Sequence, residues 1–588
     1  MDFDDILDVI GPFGKYQKLT VFLVVQAALF PCGFLTYNAV FFAAVPGDYW
    51  CKIPALENAT VNVTTKHFWP PDEHNGTLQG HSRCFMYDLN YSALSLSDIS
   101  ELTNGSLSSH KTVPCQFGWE FDRSVFQDTI VTEYLLICDR SLLQALSLAL
   151  VTMGGVFGPL VFGFLADHFG RKKGYFIMIA FQSVFSVLTS FSHTFELYCV
   201  CRFMVGSTLS FSYTLPLMQS IEITGRDTRV LISTVCSFGY TMSVVIVIGI
   251  AYFIRTWRLL ALVTACPMLL IFGLWFFYPE SPRWLLAKGR YDELEALLRH
   301  IARVNGVQLT PEFDVALPKL LRDIESEEQS QKYSAADLFR SPNLRKKTLI
   351  LILINFCNLG VFLGLNYYAP VFGDDPHLNS FLTAVIELPP YIFATFVCNK
   401  FGRRLCLVIG MGLAAASSIS AVGVPGDVTA AIMALSLSTK FFITLTFLIG
   451  ELLEDEIFPT VVRAEGHSVT SLLASIAGCL APFIVHLGYS YVILPLAVFG
   501  GLCVVAGFFA LFLPETASTD LPQTLKDGER IGKNMSWGDV FSFRLPTTKY
   551  SIPAASMHDP VQLHNAKIRK RRGQKERRGL LPTTATSV

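Results

Sequence analysis

Charge is what this chain lacks. Only 16% of its 588 residues are Asp, Glu, Lys or Arg, against about 25% in soluble globular proteins. With 51% hydrophobic residues, 48 of them phenylalanine, and a mean hydropathy of +0.44, that deficit points to a membrane protein. A formal net charge of −1 offers no basic surplus for a phosphate backbone, so nucleic acid is not an expected partner. The motifs of common enzymes are missing too. No G-x-x-x-x-G-K-[ST] loop occurs to cradle a nucleotide, and neither H-E-x-x-H nor G-x-S-x-G occurs for hydrolysis. No enzyme activity, cofactor or metal is expected. The acidic start "MDFDDILDVIGPFGKYQK" lacks the basic-then-apolar pattern of a cleaved leader, so the first apolar segment is expected to stay in the mature protein.

Long apolar runs are present in their place. A helix crossing hydrocarbon needs roughly 20 mostly apolar residues. Segments 19–44, 142–166, 174–191, 203–221, 230–254 and 259–278 qualify, then 348–372, 378–398, 405–424, 428–450, 466–489 and 490–513. The expected fold is an all-α membrane protein of twelve spans in two six-helix halves. The division runs 1–18 (cytoplasmic N-terminus), 19–278 (first half, with a large extracellular loop at 45–141), 279–347 (cytoplasmic linker), 348–513 (second half) and 514–588 (basic, largely disordered cytoplasmic tail). Leucines at helical spacing from residue 291 to 328 predict amphipathic helices in the linker.

Two signals orient the chain. The short loops "GRKK" (170–173), "GRDTR" (225–229) and "GRR" (402–404) are basic, hence cytoplasmic. Loop 45–141 carries N-x-[ST] sequons at Asn58, Asn62, Asn75, Asn90 and Asn104, and an even set of cysteines, Cys51, Cys84, Cys115 and Cys138. Glycosylation and two disulfides, in one of three pairings, are expected on the extracellular side. Both termini then lie in the cytoplasm.

The halves echo each other. "DHFGRK" (167–172) returns as "NKFGRR" (399–404), Glu222 and Arg229 return as Glu456 and Arg463, and "PES" (279–281) returns as "PET" (514–516). A duplicated six-helix unit places the substrate site between the halves, near mid-membrane.

"GFLADHFGRKK" (163–173) resembles the loop 2–3 motif of the major facilitator superfamily. "CQFGWEFD" (115–122), "TIVTEYLLICD" (129–139), "PESPRWLLAKGR" (279–290) and "EIFPTVVRAEG" (456–466) resemble its organic cation, organic anion and carnitine branch, and the likeness runs from about residue 11 to 516. The resemblance implies alternating access without ATP hydrolysis, in the plasma membrane, with Asp167, Arg171, Arg202, Glu222, Arg229, Glu456 and Arg463 as gate and hinge charges on the cytoplasmic side. In the second motif copy Asn399 replaces the aspartate, which predicts a weaker latch there.

Ionisable side chains in mid-span usually face a cavity, a partner or a pathway. Two stand out: Glu387 in "TAVIELPPYIF" (383–393) and Lys440 in the tenth span. Glu387 attracts a cation or takes up a proton, and Pro389 with Pro390 predicts a kink beside it. Lys440 pairs with Glu387, binds a substrate carboxylate, or does each in turn; a fixed structural ion pair is the plain alternative. By resemblance Glu387 matches the glutamate of cation carriers. The eleventh-span position that holds aspartate in many cation carriers and arginine in many anion carriers is Ser475, which is neither. An amine, zwitterion or amino-acid derivative is therefore the expected substrate, carried by facilitated transport. Tyr240, Phe362, Tyr367 and Tyr368 are candidate path-lining aromatics, with packing as the default for each. Simple organic cations, organic anions, carnitine-like substrates coupled to protons or sodium, and a non-transporting receptor are the alternatives. The basic tail, dense between residues 567 and 578, is either solvated or drawn to anionic lipid.

Overall fold

The computed structural model describes residues 3–53, 69–74, 77–89, 111–225, 228–307, 334–371, 375–425, 428–489, 493–517 and 524–533, with Tyr491 and Pro522. The five sequons and the basic segment 567–578 lie outside the described residues.

Helices dominate. α1 (Phe3–Ile10) is followed by α2 (Lys15–Phe42), α3 (Ser141–Phe169), α4 (Arg171–Ser190), α5 (Phe195–Glu222), α6 (Arg229–Phe253) and α7 (Trp257–Ile271). Two short helices, α8 (Pro282–Ala287) and α9 (Tyr291–Asn305), lead to α10 (Pro342–Tyr368), α11 (Pro376–Val385), α12 (Leu388–Phe401), α13 (Arg403–Ser420), α14 (Thr429–Ile457), α15 (Arg463–His486), α16 (Leu494–Ala510) and α17 (Leu525–Arg530). Among the described residues, nine helices are long and apolar enough to cross a membrane. α4 and α5 are long but more polar. Their Ser, Thr and Gln side chains, such as Gln182, Ser186, Thr208 and Ser212, are buried against neighbouring helices. α16 is very apolar but only 17 residues long. Phe276 (86% exposed), Leu270 (78%) and Phe396 (71%) stand on the outside, where a bilayer would cover them.

Small residues set the tightest crossing. A Cβ on Gly158 of α3 would lie 1.5 Å from the Ser207 carbonyl oxygen of α5, and one on Gly206 would lie 2.1 Å from that of Val151. Only glycine lets the two backbones approach so closely. One apolar cluster fills the second half, around Leu351, Ile354, Met411, Ile443 and Phe499. Others fill the first half, around Phe42, Tyr198 and Trp257 and around Tyr175, Met178 and Tyr278. α1 buries Phe3, Ile6, Leu7 and Ile10 against Trp284, Leu298 and Ile301, so the amphipathic linker helix expected from residue 291 closes a small core of its own.

Between α2 and α3 three antiparallel strand pairs form: β1 (Tyr49–Cys51) with β6 (Trp119–Phe121), β2 (Pro71–His74) with β3 (Thr77–His81), and β4 (Phe85–Tyr87) with β5 (Thr112–Pro114). Of the three cysteine pairings left open by sequence, the structure has Cys51–Cys115 and Cys84–Cys138. The bridges interleave along the chain, which ties both ends of the loop to one another. The halves meet along α3 with α15, where Thr152 Oγ1 donates to the Gly478 carbonyl at 3.4 Å, and along α6 with α11 and α12.

Candidate functional site

Glu387 sits where the expected eighth span breaks. α11 ends at Val385 and α12 starts at Leu388, leaving Glu387 at the N-cap position. The sequence makes the break there because Pro389 and Pro390 lack the N–H a continuing helix would need, yet suit a first turn. The carboxylate therefore lies at the N-terminal end of α12. It is 3% exposed.

Lys440, near the middle of α14, meets it directly. Its Nζ lies 2.8 Å from Glu387 Oε1 and donates to the Phe362 carbonyl at 3.2 Å. The same ammonium stands 3.1 Å from the centroid of the Phe362 ring. Burying two charges costs several kcal/mol each, which only a close and well-solvated pair offsets. Here carbonyl, ring and carboxylate together replace the water that Lys440 gives up.

The first half supplies the other partner. Thr241 Oγ1 on α6 donates to Glu387 Oε2 at 3.2 Å and lies 3.3 Å from the Tyr391 hydroxyl. Tyr240 and Tyr37 also act electrostatically with Glu387, and the Tyr240 ring meets Tyr213 edge-on at 5.7 Å. One carboxylate is thus held by groups from both halves, and any relative motion of the halves must change its surroundings. The pair is formally neutral, so a cation that displaces Lys440 from Glu387 adds one net charge to the site unless it brings an anionic group of its own.

The other expected site residues divide. Phe362 gives its ring to Lys440. Tyr367 is half-buried and acts electrostatically on Arg202. Tyr368 does not line the path. It is fully buried in the apolar cluster of the second half with Leu365, Leu496 and Phe499, because one step along a helix turns a side chain by about 100°. Ser475 does not reach the ion pair either; its hydroxyl donates to the Ser471 carbonyl of its own helix at 2.8 Å. Thr241 and Tyr391 were not singled out by sequence, since a threonine and a tyrosine in apolar runs give no signal of their own.

The gate charges form two matching clusters at the face opposite the stranded loop. In the first, Arg171 pairs with Asp167 at 2.8 Å, Ser281 Oγ donates to Glu222, and Glu280 Oε1 accepts from the backbone N–H of Lys172 at 3.0 Å. In the second, Arg403 pairs with Glu456 at 3.1 Å and Thr516 Oγ1 donates to Glu456. Glu515 there accepts from the N–H groups of Arg403 at 2.9 Å and Arg404 at 3.2 Å. The acids of "PES" and "PET" each cap the helix that follows a basic turn. Sequence flagged the repeat but not Glu280, Glu515 or Arg403 as members of the network. Arg463 acts electrostatically with Arg229 across the halves and with Asp455. Its Nε donates to the Phe458 carbonyl at 3.4 Å.

Arg202 does not join them. It lies near the start of α5, whereas Glu222 ends it, a separation of about 30 Å along a helix rising ~1.5 Å per residue. The expectation of a seventh gate charge on that face is corrected accordingly. His467 bridges Glu454 at 2.8 Å and Asp455 at 2.9 Å. At the loop-bearing face His377 of α11 stacks on Phe41 of α2 at 5.4 Å and packs against Phe126 at 5.2 Å and Tyr252 at 5.7 Å, joining the halves there.

Comparison with known proteins places the whole chain. Residues 81–525 match the family model described as sugar (and other) transporter. The beta-alanine transporter of Drosophila melanogaster is 35% identical over 549 residues, covering 90% of each chain. The carcinine transporter of the same organism is 35% identical over 543 residues, 92% of this chain and 80% of the relative. The human organic cation/carnitine transporter 2 is 32% identical over 537 residues, 90% of this chain and 94% of the relative. Among solved structures, the inward-open xylose transporter XylE from E. coli superposes with a TM-score of 0.54 at 16% identity, covering 87% of this chain and 99% of that one. At that identity the likeness speaks for the fold alone.

Proposed function

We propose, from the premise that the chain belongs to the sugar (and other) transporter family and within it to the organic cation, organic anion and carnitine branch, that it carries small amines, zwitterions or amino-acid derivatives across the plasma membrane. The chain is an organic-ion transporter of the major facilitator fold and not an enzyme. The finer reading has twelve spans, with α4, α5 and α16 completing the nine helices that meet the length and hydropathy of a crossing. Loop 45–141 is extracellular and glycosylated, and both termini are cytoplasmic. Basic turns at one face and interleaved disulfides at the other support that orientation.

One observation carries the substrate reading: Glu387 and Lys440 form a buried, neutral pair at the meeting of the halves, 2.8 Å apart. A substrate amine takes the carboxylate from Lys440, Thr241 on α6 and Tyr391 on α12 follow the change, and the halves rock. Asp167, Arg171, Glu222, Arg229, Glu456 and Arg463 hold the cytoplasmic face closed in one state and release it in the other. No bound nucleotide or metal enters this cycle, and transport is facilitative. That relatives are described as transporters of beta-alanine, carcinine, organic cations and carnitine supports an amine-bearing substrate.

Competition uptake with permanent cations, zwitterions and anions tests it, repeated with Glu387→Gln and Lys440→Ala. Uptake of amines and zwitterions that fails with Glu387→Gln is expected. Unchanged uptake of every substrate in that variant, or binding without flux in the natural chain, overturns the reading.

A further inference from the structure

Arg202 is 1% exposed. Its Nη2 donates to the Leu35 carbonyl at 3.3 Å and its guanidinium faces the Phe42 ring at 5.3 Å, while Nε has no hydrogen-bond partner. No acidic side chain among the described residues lies within ion-pair distance of it. A guanidinium cannot shed its charge, so a buried one without a counter-ion is a costly arrangement for packing alone to sustain. Lys440 shows the contrast: that cation already has a carboxylate, a carbonyl and a ring.

The neighbourhood of Arg202 reaches the ion pair through one short stretch of α2. Leu35 accepts from Arg202, and Tyr37, two residues on, acts electrostatically with Glu387 and stands beside Ser380 of α11. The Tyr37 hydroxyl and Ser380 Oγ are both buried and face each other, with no further hydrogen-bond partner. Tyr367 of α10 faces Arg202 from the second half. Buried polar groups are almost always satisfied. Here a buried cation without a counter-ion and two buried hydroxyls lie where the halves meet, and Tyr37 links them to Glu387.

We propose that Arg202 is the anion subsite of the transport pathway: it binds the carboxylate of an amino-carboxylate substrate whose amine is bound at Glu387, with Tyr37 and Ser380 hydrogen-bonding the body between. This rests on the transporter reading above and narrows it from amines in general to zwitterions. It also separates the roles of the two buried cations, Lys440 serving as the internal competitor for Glu387 and Arg202 as the substrate's counter-ion.

The test is uptake in cells by the full chain of ω-amino acids with two to five carbons, against the primary amides and n-alkylamines of equal length. The natural chain is expected to prefer the amino acid at least tenfold over its matched amide. Arg202→Gln is expected to erase that preference while alkylamine uptake persists, and Arg202→Lys to keep part of it. Glu387→Gln should lower uptake of both series. A natural chain without preference for the carboxylate, or an Arg202→Gln variant that retains it, overturns the proposal. Should Arg202→Gln fail to reach the cell surface, the natural chain's amino acid-to-amide ratio and Arg202→Lys still decide. Carriage of alkylamines with no advantage for the carboxylate defeats this inference alone, whereas absence of uptake and binding for both series defeats the transporter reading with it.

Discussion

Lys440 Nζ lies 2.8 Å from Glu387 Oε1 in the interior of the bundle, and the two residues belong to different helices of the same half. Removing either partner leaves the other charge buried alone, at a cost of about 3–5 kcal/mol. Glu387→Gln and Lys440→Met are each expected to lower the thermal stability of the detergent-solubilised protein. The double substitution should recover most of that loss without recovering transport. Melting curves of the four proteins, with uptake measured in cells expressing each, check this. Additive losses in the double variant would show that the pair contributes no coupling.

Phe362 presents its ring 3.1 Å, at the centroid, from that ammonium. Phe362→Leu keeps the carbonyl contact and most of the volume but removes the π face, worth about 2 kcal/mol for a desolvated cation. Lys440 should then hold Glu387 more tightly, so that a substrate amine competes less well. The expected result is a several-fold rise in KM with the maximal rate little changed. Phe362→Tyr should behave like the natural chain.

How much of this was legible beforehand varies by residue. Glu387 and Lys440 stood out because a charge in an apolar run is conspicuous, and the double proline located the break between α11 and α12. The cysteines announced two disulfides, but their pairing depends on how three strand pairs fold back on one another. Tyr367 and Tyr368 read alike in sequence, yet the helix turns one towards Arg202 and the other into the core. Arg202 was grouped with the gate by resemblance, and in sequence it stands just before an apolar run. The structure extends α5 about two turns further towards the loop-bearing face, which moves the arginine from a helix end to the interior. Thr241 carries no charge, and only the approach of α6 to α12 reveals it.

The matched clusters predict matched failures. Gly170 has φ 109° and Gly402 has φ 91°, and a Cβ at either would lie 2.5 Å from Oε2 of Glu280 or Glu515 respectively. Each acid sits there because it caps the next helix through the backbone N–H groups. Gly170→Ala and Gly402→Ala should therefore both strain the turn and displace the capping carboxylate, losing about 1–3 kcal/mol apiece. Glu280→Gln and Glu515→Gln keep the shape and weaken only the charge, so they should cost less. Surface expression and melting temperature of the four variants give the ranking. Equal losses for alanine and glutamine variants would mean that the turns do not depend on the glycines.

The interleaved bridges Cys51–Cys115 and Cys84–Cys138 make a prediction that no other pairing shares. Cys51 is fully buried beside Trp69, whose indole N–H donates to the Cys51 carbonyl at 3.0 Å, so the first bridge lies in a small core with Met86 and Tyr87. Breaking it should loosen both ends of the β1–β6 pair, while the second bridge still anchors the loop to the start of α3. Cys51→Ser, Cys115→Ser and the double Cys51→Ser/Cys115→Ser should be equally destabilised, typically by about 2–4 kcal/mol, because the second substitution removes a thiol that has already lost its partner. Cys51→Ser combined with Cys84→Ser should instead add two losses. Protease sensitivity of the loop in intact cells and mapping of disulfide-linked peptides measure the same pairing independently. A linked peptide joining Cys51 to Cys84, or additive damage from Cys51→Ser and Cys115→Ser, would contradict the fold of the loop described above.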